Sequence, residues 1–157
     1  MSPRVDVSMS REEIAGFLDA PLTASLSTLG VDGFPHLTGM WFAFVDGSPG
    51  EVHMWAYAKS QKVRNVERDA RCAFMVEEGT TYANLRGILV RGEARLVEDV
   101  DDVYAIGVRL YERYTLPATG LAVQGPEVEI RRQAGKRKGI VLTLERVASW
   151  NHAKLGG

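Results

Sequence analysis

Lys59, Ser60 and Lys62 fall within Ala58-Lys59-Ser60-Gln61-Lys62-Val63-Arg64-Asn65, directly after the apolar aromatic run Val52-His53-Met54-Trp55-Ala56-Tyr57. The apolar run reads as a strand, and the octapeptide reads as the opening of a helix that begins at Ser60. At a helix N-terminus the first backbone N–H groups lack intrahelical partners and the aligned peptide dipoles leave a partial positive charge. With two ammonium groups beside it, such an end is a seat for an anion, phosphate above all. The octapeptide also reads as an ordinary serine-capped helix carrying solvated lysines. What the neighbouring elements bring to that corner decides between the two.

Other residues offer little chemistry of their own. His36, His53 and His152 show no metal-ligand spacing, and no nucleophile elbow, P-loop or dinucleotide glycine motif stands between a strand and a helix. Cys72, the one cysteine, alternates with inward apolar residues and reads as core rather than nucleophile. The run Arg131-Arg132-Gln133-Ala134-Gly135-Lys136-Arg137-Lys138 can hold a polyanion, although such runs are more often solvated. Without a catalytic side-chain set, enzymatic activity has to come from a bound cofactor, the protein supplying position and electrostatics.

The chain has 157 residues, 45% of them hydrophobic and 25% charged, which suits one domain over 1–157 with a true core. A net charge of −1 argues against a general nucleic-acid binder. One cysteine allows no internal disulfide. Residues 1–8 lack the apolar segment of a signal peptide, and no run approaches the roughly 18 apolar residues of a membrane span, so the expectation is a cytoplasmic protein with no membrane association.

The positioning elements are mostly strands. Ser10 with Glu13 is a capping box opening a short helix that Pro21 ends. Strands are expected over 22–28, 35–45, 51–57, 70–77, 85–97 and 140–150, with a tight turn at Gly30-Val31-Asp32-Gly33. The 35–45 strand is apolar on both faces, so something other than water should cover its second side. Gly92, on the inward set of the 85–97 strand, suggests the bend that small barrels need. A helix over 99–114 shows the clearest helical period, and a polar one begins near Pro126. The fold class is mainly β (α+β), an antiparallel barrel of about six strands with peripheral helices.

Several segments then resemble a known family. Gly33-Phe34-Pro35-His36 through Met40-Trp41-Phe42, the Lys59-Ser60-Gln61-Lys62 helix start, Asn65-Val66-Glu67-Arg68-Asp69-Ala70-Arg71 and Arg91-Gly92-Glu93-Ala94-Arg95-Leu96 are similar, in order and spacing, to the pyridoxamine 5′-phosphate oxidase-like split β-barrel superfamily. Within it the chain most resembles the actinobacterial flavin/deazaflavin oxidoreductases of group B, many of which use coenzyme F420. The ending Ser149-Trp150-Asn151-His152-Ala153-Lys154-Leu155 is similar to a Ser-Trp-Asp-His-x-Lys-Leu ending in one branch of that group.

The resemblance implies a homodimer of six-stranded split barrels with two cofactor sites at the subunit interface. It implies that Ser60, Gln61 and Lys62, with Lys59 adjoining, form the phosphate-binding helix start. By the same resemblance the tricyclic ring lies along Met40, Trp41 and Phe42, and Ala56 and Tyr57 lead to the phosphate site. True pyridoxamine phosphate oxidases carry arginines where Thr38 and Gln61 stand here and end in a Trp-Arg-x-x-Arg-like motif that is missing, which argues against vitamin B6 oxidation. Charge alone adds Arg64, with Lys59 and Lys62, as an attractor for an oligoglutamate tail. The expected activity is hydride transfer from reduced F420 to an unsaturated or quinone-like small molecule, the proton coming from Tyr57, His36 or solvent. The alternatives are an FMN-dependent oxidase or reductase of the same fold, and a protein that binds flavin or haem without turnover. Residues 79–84 and 116–125 are expected to shape the acceptor pocket.

Overall fold

The structure, a computed structural model, describes residues 6–45, 48–120 and 126–156. Helix α1 (Arg11–Asp19) begins as the capping box requires: the Ser10 hydroxyl accepts from the Glu13 N–H at 3.2 Å and the Glu13 carboxylate accepts from the Ser10 N–H at 2.6 Å. Strands β1 (Ala24–Leu29) and β2 (Pro35–Met40) then form a hairpin in register from Leu29–Pro35 to Ala24–Met40. Gly33 in the turn has φ 82°, a conformation that favours glycine.

The expected strand over 35–45 is in fact two. β2 stops at Met40, and β3 (Ala43–Val45) starts beyond Trp41 and Phe42. The remaining strands are β4 (Ser48–Tyr57), β5 (Arg71–Glu78), β6 (Arg86–Val97), β7 (Arg137–Thr143) and β8 (Val147–Asn151), all antiparallel to their partners. The order is β2-β1-β5-β6-β7-β4-β3, with β8 also on β6. β2 and β3 therefore stand at opposite edges although only two residues separate them. The sheet has to curl until its edges approach each other at Trp41–Phe42, which is the closure of a split barrel.

The expected strand over 140–150 also divides, so the described residues hold eight strands rather than about six. Leu144, Glu145 and Arg146 separate β7 from β8 without a glycine or proline to announce the break. β6 is the hinge of the architecture. Residues 86–93 pair with β5 on one edge, while the other edge carries β8 along 86–90 and β7 along 94–97. The change of partner brackets Gly92, where the sequence calls for a bend. A Cβ there would press on Leu142 Cδ1 at 3.2 Å.

The inward face of this curled sheet is a continuous apolar core in which Leu26, Phe42, Met54, Phe74, Ile88 and Leu142 are fully buried. Helix α2 (Gln61–Arg68) adds Val63 and Val66 to it. Helix α3 (Val100–Leu110) is capped by Asp99, whose carboxylate accepts from the N–H groups of Asp101 at 3.0 Å and Asp102 at 3.1 Å. Through one wide π-type turn, Tyr111–Thr115, it runs on into α4 (Leu116–Thr119). A last helix, α5 (Glu127–Ala134), precedes β7. Of the loop expected to shape the pocket over 116–125, residues 121–125 lie outside the described residues. Among the described residues no helix is long and apolar enough to cross a membrane.

α3 covers the outer side of β4 and β3, where Ala43, Ile106 and Leu110 are buried with Trp55 and Tyr114 against them. Gly107 permits that approach, because a Cβ at this position would lie 2.5 Å from Cζ3 of Trp55 and 2.9 Å from Cγ2 of Ile130. An alanine gains about 1 kcal/mol of helix propensity, but the rigid indole leaves it no room. Gly107→Ala is therefore expected to lower unfolding free energy by about 1–3 kcal/mol, the usual scale of overpacking. Urea denaturation checks this, and a stabilised variant would mean that α3 does not rest on Trp55 as described.

Candidate functional site

β4 ends at Tyr57 and the chain turns sharply, with the Ser60 N–H donating to the Tyr57 carbonyl at 2.9 Å and the Ala58 N–H to the Lys136 carbonyl at 3.0 Å. Ser60 is the N-cap of α2, with extended φ −70° and ψ 155°. A serine so placed ordinarily accepts from an N–H of the first turn. Here it makes no such bond, and its hydroxyl is shielded from solvent without any partner. No acidic residue stands in the first turn of α2 to satisfy the dipole.

Beside it, Lys62 is held below the usual lysine range, first by burial and then by repulsion from Arg137. Arg137 lies directly opposite Tyr57 in the β4–β7 ladder. Its guanidinium packs 4.1 Å from the Tyr57 ring centroid and 4.6 Å from that of Trp55. One terminal nitrogen donates to Gln133 Oε1 at 3.3 Å, and Nε is shielded without a partner. Among the described residues neither Lys62 nor Arg137 makes an ion pair. Buried donors left in this state carry a free-energy cost that a bound anion removes. An unpaired hydroxyl, a helix N-terminus and two unneutralised cations form a corner fit for phosphate.

The other predicted residues divide by orientation. Lys59 and Arg64 are exposed at the rim of the corner. Gln61 looks back along the helix, its amide donating to Asn65 Oδ1 at 2.8 Å, while buried Asn65 donates to Thr28 Oγ1 at 3.0 Å, and this relay pins α2 on β1. Ala56 is buried in the core and Tyr57 is 54% exposed. Met40 and Phe42 also point into the core, so they offer a ligand only backbone. Trp41 alone of that trio turns outward, 51% exposed. His36 sits on β2 four residues before Met40, roughly 13 Å along a strand. Tyr57 is three residues from Ser60.

Two residues in this neighbourhood are missed by sequence reasoning as site components. One is Arg137, which reads as part of a solvated charge run because nothing announces that β7 begins there and carries it beneath the aromatic pair. The other is Tyr114, which reads as one more apolar position on a helix. Its ring stacks on Trp41 with centroids 4.7 Å apart and planes within 2°. Its hydroxyl donates to the Leu22 carbonyl at 2.7 Å and accepts from the Phe42 N–H at 3.2 Å. The π-type turn places Tyr114 there, and such turns often mark functional positions.

A cavity of about 800 Å3 opens elsewhere, where β1, β5, β6 and the β7–β8 turn meet, lined among others by Ser27, Cys72, Arg91 and Arg146. None of the predicted site residues lines it. The anion corner is marked by unsatisfied buried donors rather than by volume, and those are the stronger sign of a ligand. Burial raises the Cys72 thiol to about 11, which leaves it protonated and unreactive at neutral pH. Among the described residues no group of three or more His, Cys, Asp or Glu could hold a metal ion.

Positions 10–151 match the family described as pyridoxamine 5′-phosphate oxidase, and the chain belongs to that family. Among solved structures it is 39% identical to the conserved hypothetical protein Rv2991 from Mycobacterium tuberculosis, with TM-score 0.87 over 100% of this chain and 94% of that one. An F420 reductase is 27% identical, with TM-score 0.65 over 85% of this chain and 94% of the other. The flavocytochrome Anf3 from Azotobacter vinelandii, at 16% identity and TM-score 0.63 over 94% of this chain and 68% of that one, shares the fold. No curated protein matches the sequence. The fold is thus the α+β split barrel of the pyridoxamine 5′-phosphate oxidase family.

Removing the Tyr114 hydroxyl leaves the Phe42 N–H and the Leu22 carbonyl unbridged while keeping the stack. Tyr114→Phe is expected to lose about 1–3 kcal/mol of stability with the near-ultraviolet dichroism of the stacked rings retained. Thermal unfolding followed in that region checks both, and loss of the aromatic signal with unchanged stability would contradict the assigned bridge.

Proposed function

We propose that the protein is an F420-dependent oxidoreductase that passes a hydride from reduced deazaflavin to an unsaturated or quinone-like small molecule. The observation that carries this is the shielded, partnerless Ser60 hydroxyl at the start of α2 beside unneutralised Lys62. The likeness to an F420 reductase over most of both chains supports deazaflavin as the ring system. Ser60 and Lys62 hold the cofactor phosphate, with Gln61 fixing the helix that presents them. Lys59 and Arg64 at the rim attract the acidic tail. Trp41 and the backbone of Met40, Phe42 and Ala56 support the ring.

When bound, the cofactor supplies the hydride. The protein orients it and keeps water from the ring, and the proton comes from Tyr57, exposed at the end of β4, from His36 or from solvent. The protein acts as a homodimer, which the outward apolar row Phe34, Leu37, Trp41 and Met75 supports. A cytoplasmic site of action agrees with its one cysteine.

Fluorescence titration with F420 and, in parallel, FMN tests the reading, followed by assay of reduced F420 against a panel of enones and quinones. Stoichiometric quenching by F420 and oxidation by at least one acceptor are expected. Tighter binding of FMN would replace the cofactor, and tight F420 binding with no turnover on any acceptor would make this a carrier. Lys62→Ala should weaken F420 by about 1–3 kcal/mol. It should not destabilise the free protein near neutral pH: a lysine whose folded value is depressed disfavours the folded state while protonated, so stability rises with pH through that window. Unchanged affinity would remove Lys62 from the site.

A further inference from the structure

We infer that Arg137 is a ligand-binding residue, the third wall of the anion corner, donating from Nε to the phosphate of the bound molecule. This rests on the proposed reading for the identity of the ligand, but the geometry that carries it is separate. Arg137 comes from β7, 75 residues beyond Lys62, and the ladder sets it across from Tyr57 at the point where the chain turns toward Ser60. The two rings, Tyr57 on one position and Trp55 two residues earlier on the same face of β4, hold the guanidinium between 4.1 and 4.6 Å from their centroids. Gln133 takes one terminal nitrogen. The side chain is therefore held in place before any ligand arrives.

What it lacks is a counter-ion. Its neighbour Lys138 meets two carboxylates, Glu67 and Glu98, and Arg131 and Arg132 each meet one. Arg137 meets none, and its Nε is shielded from solvent with no acceptor. Arg113, which also packs on rings with its Nε shielded, donates from a terminal nitrogen to two backbone carbonyls, whereas Arg137 has only the Gln133 amide oxygen, and unpaired buried donors are costly. Close to it stands a second cation, Lys62, which the arginine pushes further below the lysine range. Two cations that repel each other next to an idle hydroxyl are arranged for an anion that binds all three. A guanidinium with Nε and a terminal nitrogen on one edge also matches two phosphate oxygens, which an ammonium cannot do.

The test uses Arg137→Gln and Arg137→Lys in the full chain, with two ligand pairs that differ only in phosphate: F420 against its phosphate-free ring fragment, and FMN against riboflavin. For the phosphorylated member that binds the wild type, Arg137→Gln should weaken affinity about tenfold or more and leave the phosphate-free partner within about twofold. Arg137→Lys should recover only part of the loss. Equal losses for both members of a pair would show that the arginine only props Trp55 and Tyr57, and would overturn the inference, as would no loss for either.

Thermal stability in inorganic phosphate, against chloride at matched ionic strength, separates failure of this inference from failure of the cofactor assignment. Should neither ring system bind the wild type, phosphate stabilisation that Arg137→Gln abolishes would still uphold Arg137. Absence of that stabilisation in the wild type, with no ring bound, would overturn both.

Discussion

Lys62 and Arg137 are drawn together by the fold and left without a carboxylate between them. In a chain of net charge −1, with Lys138 and Arg132 each provided with acidic partners nearby, this omission is local. Like charges that share a partly buried corner raise the energy of the empty protein, and the idle Ser60 hydroxyl adds to it. A phosphate converts each of these liabilities into a charge-assisted hydrogen bond. The proposed function rests on that reversal: the corner sits at the end of β4, and Trp41, the proposed ring support, is held by the same barrel.

The barrel holds these parts rigid through a few joints. Asn65 binds Thr28 and so docks α2, and with it Ser60, on β1. Trp55 meets both α3 at Gly107 and the Arg137 guanidinium, so helix packing and the anion corner share one indole. Tyr114 bridges Leu22 and Phe42 across the point where the chain leaves one sheet edge for the other, and its ring backs the exposed face of Trp41. Arg113 reaches the carbonyls of Leu18 and Ala20 from the same turn, fixing the end of α1 against it.

Much of this was legible in the sequence because it is local. The Ser10–Glu13 capping box, the alternation along β6 and the helix opening at Ser60 each depend on neighbours a few residues away, and each stands as expected. The strand breaks at Trp41–Phe42 and at 144–146 were not legible. In the first, apolar residues continue through the break, and the change of sheet edge is a property of closure. Arg137 and Tyr114 escaped for the same reason: their roles come from a ladder register and a wide helical turn that bring distant segments together. Family resemblance supplied the expected ring and phosphate residues that composition could not, and of these the structure turns the Met40 and Phe42 side chains into the core.

The proposed function stands or falls on whether an anion docks where α2 begins, and a crystal structure of the protein with F420 decides it. Phosphate oxygens are expected within hydrogen-bond reach of Ser60 Oγ and the first N–H groups of α2, with Lys62 turned toward them and the ring along Trp41. A phosphate bound elsewhere, for example in the cavity beside Arg91 and Arg146, with the Ser60 corner unchanged, would refute the docking of an anion there.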